Sequence, residues 1–112
     1  MKYKLLSLMI AVVSISGCEK IDKDCPDCIQ KQIREFSKSP ICDEGATVAQ
    51  YFFQNMNVYV FSEGNCGADM GAKVVSENCD QIGYLGGIAG NMKINGVNFY
   101  ENAVFRKTVW ED

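Results

Sequence analysis

The sequence predicts an α+β domain: one N-terminal amphipathic helix packed on an antiparallel sheet of four to five strands, with disulfides as staples. Three observations carry this. Apolar residues recur at helical spacing in one stretch, at Ile29, Ile33 and Phe36. Downstream, short runs of β-branched and aromatic residues alternate with turn signals, the pattern of a sheet with its helix segregated to one face. Six cysteines in 112 residues suit a small domain whose core needs covalent support.

The first element is not part of that domain. The chain opens MKYKLLSLMIAVVSISGC. Lys2 and Lys4 form a basic start and residues 5–15 an apolar run of secretory-signal length. A membrane span takes roughly 20 apolar residues, so this run is too short to cross. Ile15-Ser16-Gly17-Cys18 resembles the bacterial lipobox, which implies cleavage before Cys18 and a diacylglycerol on its sulfur. A thiolate is the nucleophile best suited to take up that lipid. The expected organisation is a signal at 1–17, a charged tether at 18–24 and one domain at 25–112. The expected place is the bacterial cell envelope, at the outer membrane, with acyl chains such as palmitate as the membrane link.

With Lys2 and Lys4 removed, nine basic residues face 14 acidic ones, a net charge of −5. That balance argues against nucleic acid, which needs clustered Lys and Arg, and against electrostatic docking on anionic lipid.

The helix is expected over 26–38. Pro26 fits its first turn, Asp24 or Asp27 suits its positive end, and Ser39-Pro40 stops it. Gln30, Arg34 and Lys38 form a polar row, read as a solvated face rather than a ligand row. At the helix start, Cys25-Pro26-Asp27-Cys28 is a C-x-x-C. A thioredoxin-like redox pair follows a core strand, and only 19–24 precede this one. The structural alternative has one of the two cysteines pinning the helix to the sheet, with Cys42 nearest in sequence, as in a Cys28–Cys42 bridge. A helix reaching Lys38 is about 15 Å long at 1.5 Å per residue, which residues 39–42 barely span in return. A shorter helix, or a bond from Cys28 to the sheet, relieves that conflict.

Residues 48–53 and 58–61 read as a hairpin around Gln54-Asn55-Met56-Asn57. Alternation is expected to put Tyr51, Phe53, Tyr59 and Phe61 on one face, beneath the helix. Residues 73–76 read as a third strand. Cys66 and Cys79 flank it, and a Cys66–Cys79 bridge would close a loop of about 13 residues, stabilising by about 3 kcal/mol on the chain-entropy model. The stretch IGYLGGIAGN is read as tight backbone crossings, because a phosphate-cradling loop would lead into a helix. Ile94-Asn95-Gly96-Val97 reads as a turn, and 103–112 as the last strand, with Trp110 near the edge of the core.

No catalytic constellation emerges. The chain has no His, and its cysteines lack the second C-x-x-C of a structural zinc site. No metal and no cofactor are expected. Asp43, Glu44, Asp69 and Asp80 are loop carboxylates, and nothing in their spacing selects a pair. The expected role is a non-enzymatic binding or interaction module, touching an envelope or host protein or polysaccharide. The alternatives are a thiol–disulfide protein using Cys25 and Cys28, and an inhibitor of a secreted hydrolase.

Cys28-Ile29, then VAQYFFQNMNVYVF, NCGAD, CDQIGYLGGIAG and finally TVW together resemble a family of small Bacteroidota lipoproteins of unknown function. The resemblance spans nearly all of 18–112 and implies the same fold and address, without an activity. It places the family's helix-start cysteine on Cys28, which leaves Cys25 as the candidate free thiol.

Overall fold

The computed structural model describes residues 20–39, 45–64 and 70–112. The stretch expected to be a signal, Cys18, Cys42, Cys66 and the carboxylates Asp43, Glu44 and Asp69 lie outside them. Helix α1 (Asp27–Ser37) is followed by β1 (Thr47–Phe53), β2 (Met56–Ser62), β3 (Gly71–Ser76) and β4 (Gln81–Gly86). Then come β5 (Lys93–Ile94), β6 (Val97–Asn98), α2 (Phe99–Asn102) and β7 (Val104–Glu111). The mixed α and β class holds. Five strands form one antiparallel sheet in the order β4-β3-β2-β1-β7, and β5 with β6 forms a separate two-stranded ribbon. The main helix is short and begins well inside the chain, at Asp27, rather than at its N-terminus.

α1 buries Ile29 and Ile33 completely and half-buries Phe36. They meet Val48, Tyr59, Phe61, Val75, Val109 and Trp110 on one sheet face. Val109 and Trp110 are consecutive yet both buried there. A bulge makes this possible: Trp110 pairs with Val48 and Thr108 with Ala49, so Val109 has no partner and the alternation slips. The opposite face carries Phe53, Val58, Val60, Val74 and Leu85 and is covered by Ile94 and Phe99 from the returning chain.

The hairpin register overturns one expectation. Gln54 and Asn55 both have positive φ, 50° and 65°, and join Phe53 to Met56 in a two-residue loop of the type I′ kind. Tyr51 therefore sits opposite Val58, not Tyr59. An even-numbered loop pairs odd residues with even ones, and paired residues share a face. Tyr59 and Phe61 lie under α1, whereas Tyr51 and Phe53 face the other way.

Both expected disulfides are corrected. Cys28 is bonded to Cys79, with Cα atoms 6.2 Å apart and a sequence separation of 51. A Cys66–Cys79 bridge is excluded because the one sulfur of Cys79 is already bonded to Cys28. Cys28–Cys42 fails because the Cys28 sulfur is spent on the same bond, to the sheet rather than to the residues that follow the helix. α1 starts beside the β3–β4 turn, where Gln32 Nε2 donates to the Cys79 carbonyl at 3.2 Å, and climbs away from it toward Phe61 and Trp110. Closing the 51-residue separation contributes about 4 kcal/mol on the chain-entropy model. The Cys25 thiol is buried and unbridged.

Residues 20–24, read from sequence as tether, lie along β7. The Asp22 N–H donates to the Val109 carbonyl at 2.9 Å, Ile21 packs against the α1-side core, and Lys107 pairs with Asp22 at 2.8 Å and Asp24 at 3.5 Å. Gln30, on the row read as solvated, donates to the Cys25 carbonyl at 2.9 Å and so fastens this segment to α1.

Candidate functional site

α1 packs over one sheet face as far as Val75 of β3 and leaves Lys73 of β3 and the Gln81 and Tyr84 positions of β4 open to solvent beside it. The result is a groove whose wall is Gln32, Glu35, Phe36 and Ser39 and whose floor is Phe61, Lys73, Val75, Gln81 and Tyr84. Two adjoining cavities of about 460 and 290 Å³ share Phe36, Ser39, Lys73 and Gln81. The disulfide closes one end, with Cys79 in the lining.

Strand periodicity places the floor. Lys73 stands opposite Phe61 on one side and Tyr84 on the other, so the three share a face. Lys73 Nζ sits 5.1 Å from the Phe61 ring centroid, a cation–π distance. Phe36 meets Phe61 edge to face at 5.3 Å. Tyr84 is 43% exposed and offers a ring to solvent. Gly71 permits this: a Cβ there would stand 2.6 Å from both the Leu85 carbonyl oxygen and the Tyr84 ring.

A second cluster lies under the start of α1. Asp24, Pro26, Gln50, Asn57, Tyr59, Glu77, Asn78 and Lys107 surround about 400 Å³. Burial, and then the Asp22 charge, pushes the Cys25 thiol up to about 11. Burial likewise pushes Tyr59 up to about 12. The hydrogen bond from Lys107 holds Asp22 below the usual carboxylate range, helped by the Asp24 N–H. The C-x-x-C thus contains one sulfur tied to Cys79 and one held protonated and enclosed, which works against a thiolate nucleophile.

Of the loop carboxylates, Asp80 alone falls among the described residues; it is exposed in the β3–β4 turn and lines neither cleft. Among the described residues, no group of three or more His, Cys, Asp or Glu gathers. The groove itself was invisible in the sequence. Its floor depends on β4, and three glycines at 83, 86 and 87 disguise that strand. Gln81 and Tyr84 are three apart, which strict alternation would put on opposite faces; the register shift between Val74 and Val75 is what brings both to the groove side.

A family model described as a domain of unknown function, DUF6970, matches residues 34–112. The chain belongs to the DUF6970 family. The DUF6970 stretch begins in the second half of α1 and takes in every groove residue except Gln32; it leaves out Cys25 and Cys28. No curated protein matches the chain, and no solved structure matches it.

Proposed function

We propose that this DUF6970 protein is an exported bacterial lipoprotein, held in the cell envelope by acyl chains on Cys18, whose domain is a non-enzymatic binding module. The lipobox-like Ile15-Ser16-Gly17-Cys18 and the resemblance to small Bacteroidota lipoproteins support the address. No described helix is long and apolar enough to cross a membrane, so in this reading the lipid is the attachment.

The groove beside α1 carries the binding role. One cleft combines an exposed ring, Tyr84, a cation over a second ring, Lys73 on Phe61, and side-chain amides at Gln32 and Gln81. Rings and amides in a shallow channel suit an extended sugar or peptide chain, which stacks and exchanges hydrogen bonds. General acid–base catalysis needs a positioned pair of titratable groups tuned for proton transfer. Here the charged groups are Glu35, Glu63 and Lys73.

A photoreactive group at position 84 tests this in cells. Cross-links to an envelope polymer or protein are expected, and Lys73→Glu should abolish them. Identical adducts from a group at Asn78, on the far turn, would overturn the assignment. Mass spectrometry of the mature N-terminus tests the anchor separately.

A further inference from the structure

The anchor and one end of the sheet lie together. Gly86 is opposite Gly71, Ala72 opposite Ser62, Ser62 opposite Thr47, and Thr47 opposite Glu111. These residues mark one end of all five strands. Residues 20–24 run antiparallel to β7, with Asp22 at Val109 and Lys20 beside Trp110 and Glu111. Lys20 therefore leaves the domain at that same end. Cys18 is two residues away, a reach of at most about 7 Å. A lipid on Cys18 brings this end, and not the opposite one, to the bilayer.

What projects there is unusual for a turn. Gly86 and Asn91 exchange two backbone hydrogen bonds, at 2.7 and 3.2 Å, and push residues 87–90 beyond the sheet. The turn reads Gly-Ile-Ala-Gly and has no polar side chain, whereas turns are ordinarily built from polar residues alongside Gly and Pro. At its tip Ile88 is 88% exposed, the most exposed large apolar side chain of the described residues. Met92, also exposed, follows it.

We propose that the 87–90 turn is a membrane-contacting tip, which together with the lipid on Cys18 fixes the orientation of the domain on the bilayer. This rests on the lipid-anchor reading above. The contact is apolar. Glu63 and Glu111 lie near the same end, so attraction to anionic headgroups does not drive it. The acyl chains supply the attachment and the tip enters the headgroup boundary, the depth at which apolar side chains of surface-bound segments sit. The groove floor then faces sideways, open to a ligand approaching along the membrane.

The experiment uses the lipid-modified full chain in phosphatidylcholine vesicles with brominated acyl chains. Ile88→Trp and, in case that variant misfolds, Ala89→Trp report from the tip. Asn78→Trp reports from the far end, and the wild type supplies the Trp110 background. Tip variants should be quenched several-fold more than Asn78→Trp. Equal quenching at both ends in protein that floats with the vesicles overturns the tip and leaves the anchor standing. Protein that does not float overturns both. Tip fluorescence that resists bromolipid and depends on protein concentration assigns the turn to a second copy, and also overturns the proposal.

Discussion

The two faces of the sheet are covered by different means. On one, an 11-residue helix reaches its place from a distant part of the chain and is tied there by Cys28–Cys79. On the other, β5, β6 and α2 form one continuous return from β4 to β7, with no covalent link. Their cover is aromatic: Phe99 meets Phe53 at 4.9 Å, Tyr51 at 5.2 Å and Tyr100 at 5.1 Å. The difference teaches where each layer's stability comes from. A returning chain is held at both ends by strands, so its closure entropy is small and side-chain burial suffices. A helix outside the sheet gains from a bond that removes unfolded-state freedom. Cutting the main anchor on each face measures this.

The largest effect is expected at Phe99→Ala. Phe99 is fully buried and its ring is the hub of the aromatic cover on that face, so the loss should be about 3–5 kcal/mol in urea unfolding. A loss under about 1 kcal/mol would show that the returning chain is held by its backbone alone.

Next comes the disulfide. Cys28→Ser with Cys79→Ser should cost about 2–5 kcal/mol, with the amides of α1 losing hydrogen-exchange protection before those of β1 and β2. Uniform loss across both faces would mean that the helix is no separate unit. Cys25→Ser should cost less, and the native Cys25 thiol should resist alkylation at neutral pH, because burial holds its pKa up at about 11. The sign follows: the raised value favours the folded protein below the ordinary thiol pKa, and that contribution is lost as pH rises through about 11.

How far the sequence revealed each face follows the same division. α1 was legible because Ile29, Ile33 and Phe36 report one helical stripe locally. β1, β2 and β7 were legible from β-branched and aromatic runs. The other cover was not. A four-residue helix capped by Asn98, whose Oδ1 accepts from the Glu101 N–H, has too few residues for a periodic signal. β4 was hidden by glycines whose purpose is tertiary: at Gly83 an added Cβ would collide with the Ile94 side chain. The sulfur pairing was illegible because it depends on the start of α1 lying against the β3–β4 turn, a fact of the folded sheet. The Asn95-Gly96 turn was readable, but its hydrogen bond from Asn95 Nδ2 to Gln54 Oε1, which ties the two hairpin tips, was not.

The glycine at the groove's edge sharpens the comparison further. Gly71→Ala should cost about 1–3 kcal/mol, because the new methyl meets the Leu85 backbone oxygen as well as the Tyr84 ring. The ring can turn aside and the backbone cannot. Ligand cross-linking from position 84 should fall along with stability. Gly90→Ala meets nothing within 4 Å and is strained only by its φ of 63°, so it should cost less and leave the groove intact.

The smallest effect belongs to residues 20–24, the segment that would join the domain to the proposed anchor. Asp22 is hydrogen-bonded to Lys107, which holds its carboxyl below the ordinary aspartate range and raises Lys107 above the ordinary lysine range. A depressed carboxylate contributes stability above its unfolded pKa and loses it as pH falls through the folded value. The contribution of Asp22 is thus intact at neutral pH and fades below about 4. That of Lys107 has the opposite sign and is lost only in strong alkali. Exposed pairs of this kind add little to global stability, so the melting temperature should barely move. The local readout is sharper: the Asp22 amide, bonded to the Val109 carbonyl, should exchange faster at pH 3 than intrinsic rates allow for. Asp22→Asn should show the same acceleration already at pH 7. If the amide stays protected in both cases, Ile21 in the core rather than the ion pair holds this segment against β7, and apolar packing alone sets the direction in which the chain leaves the domain.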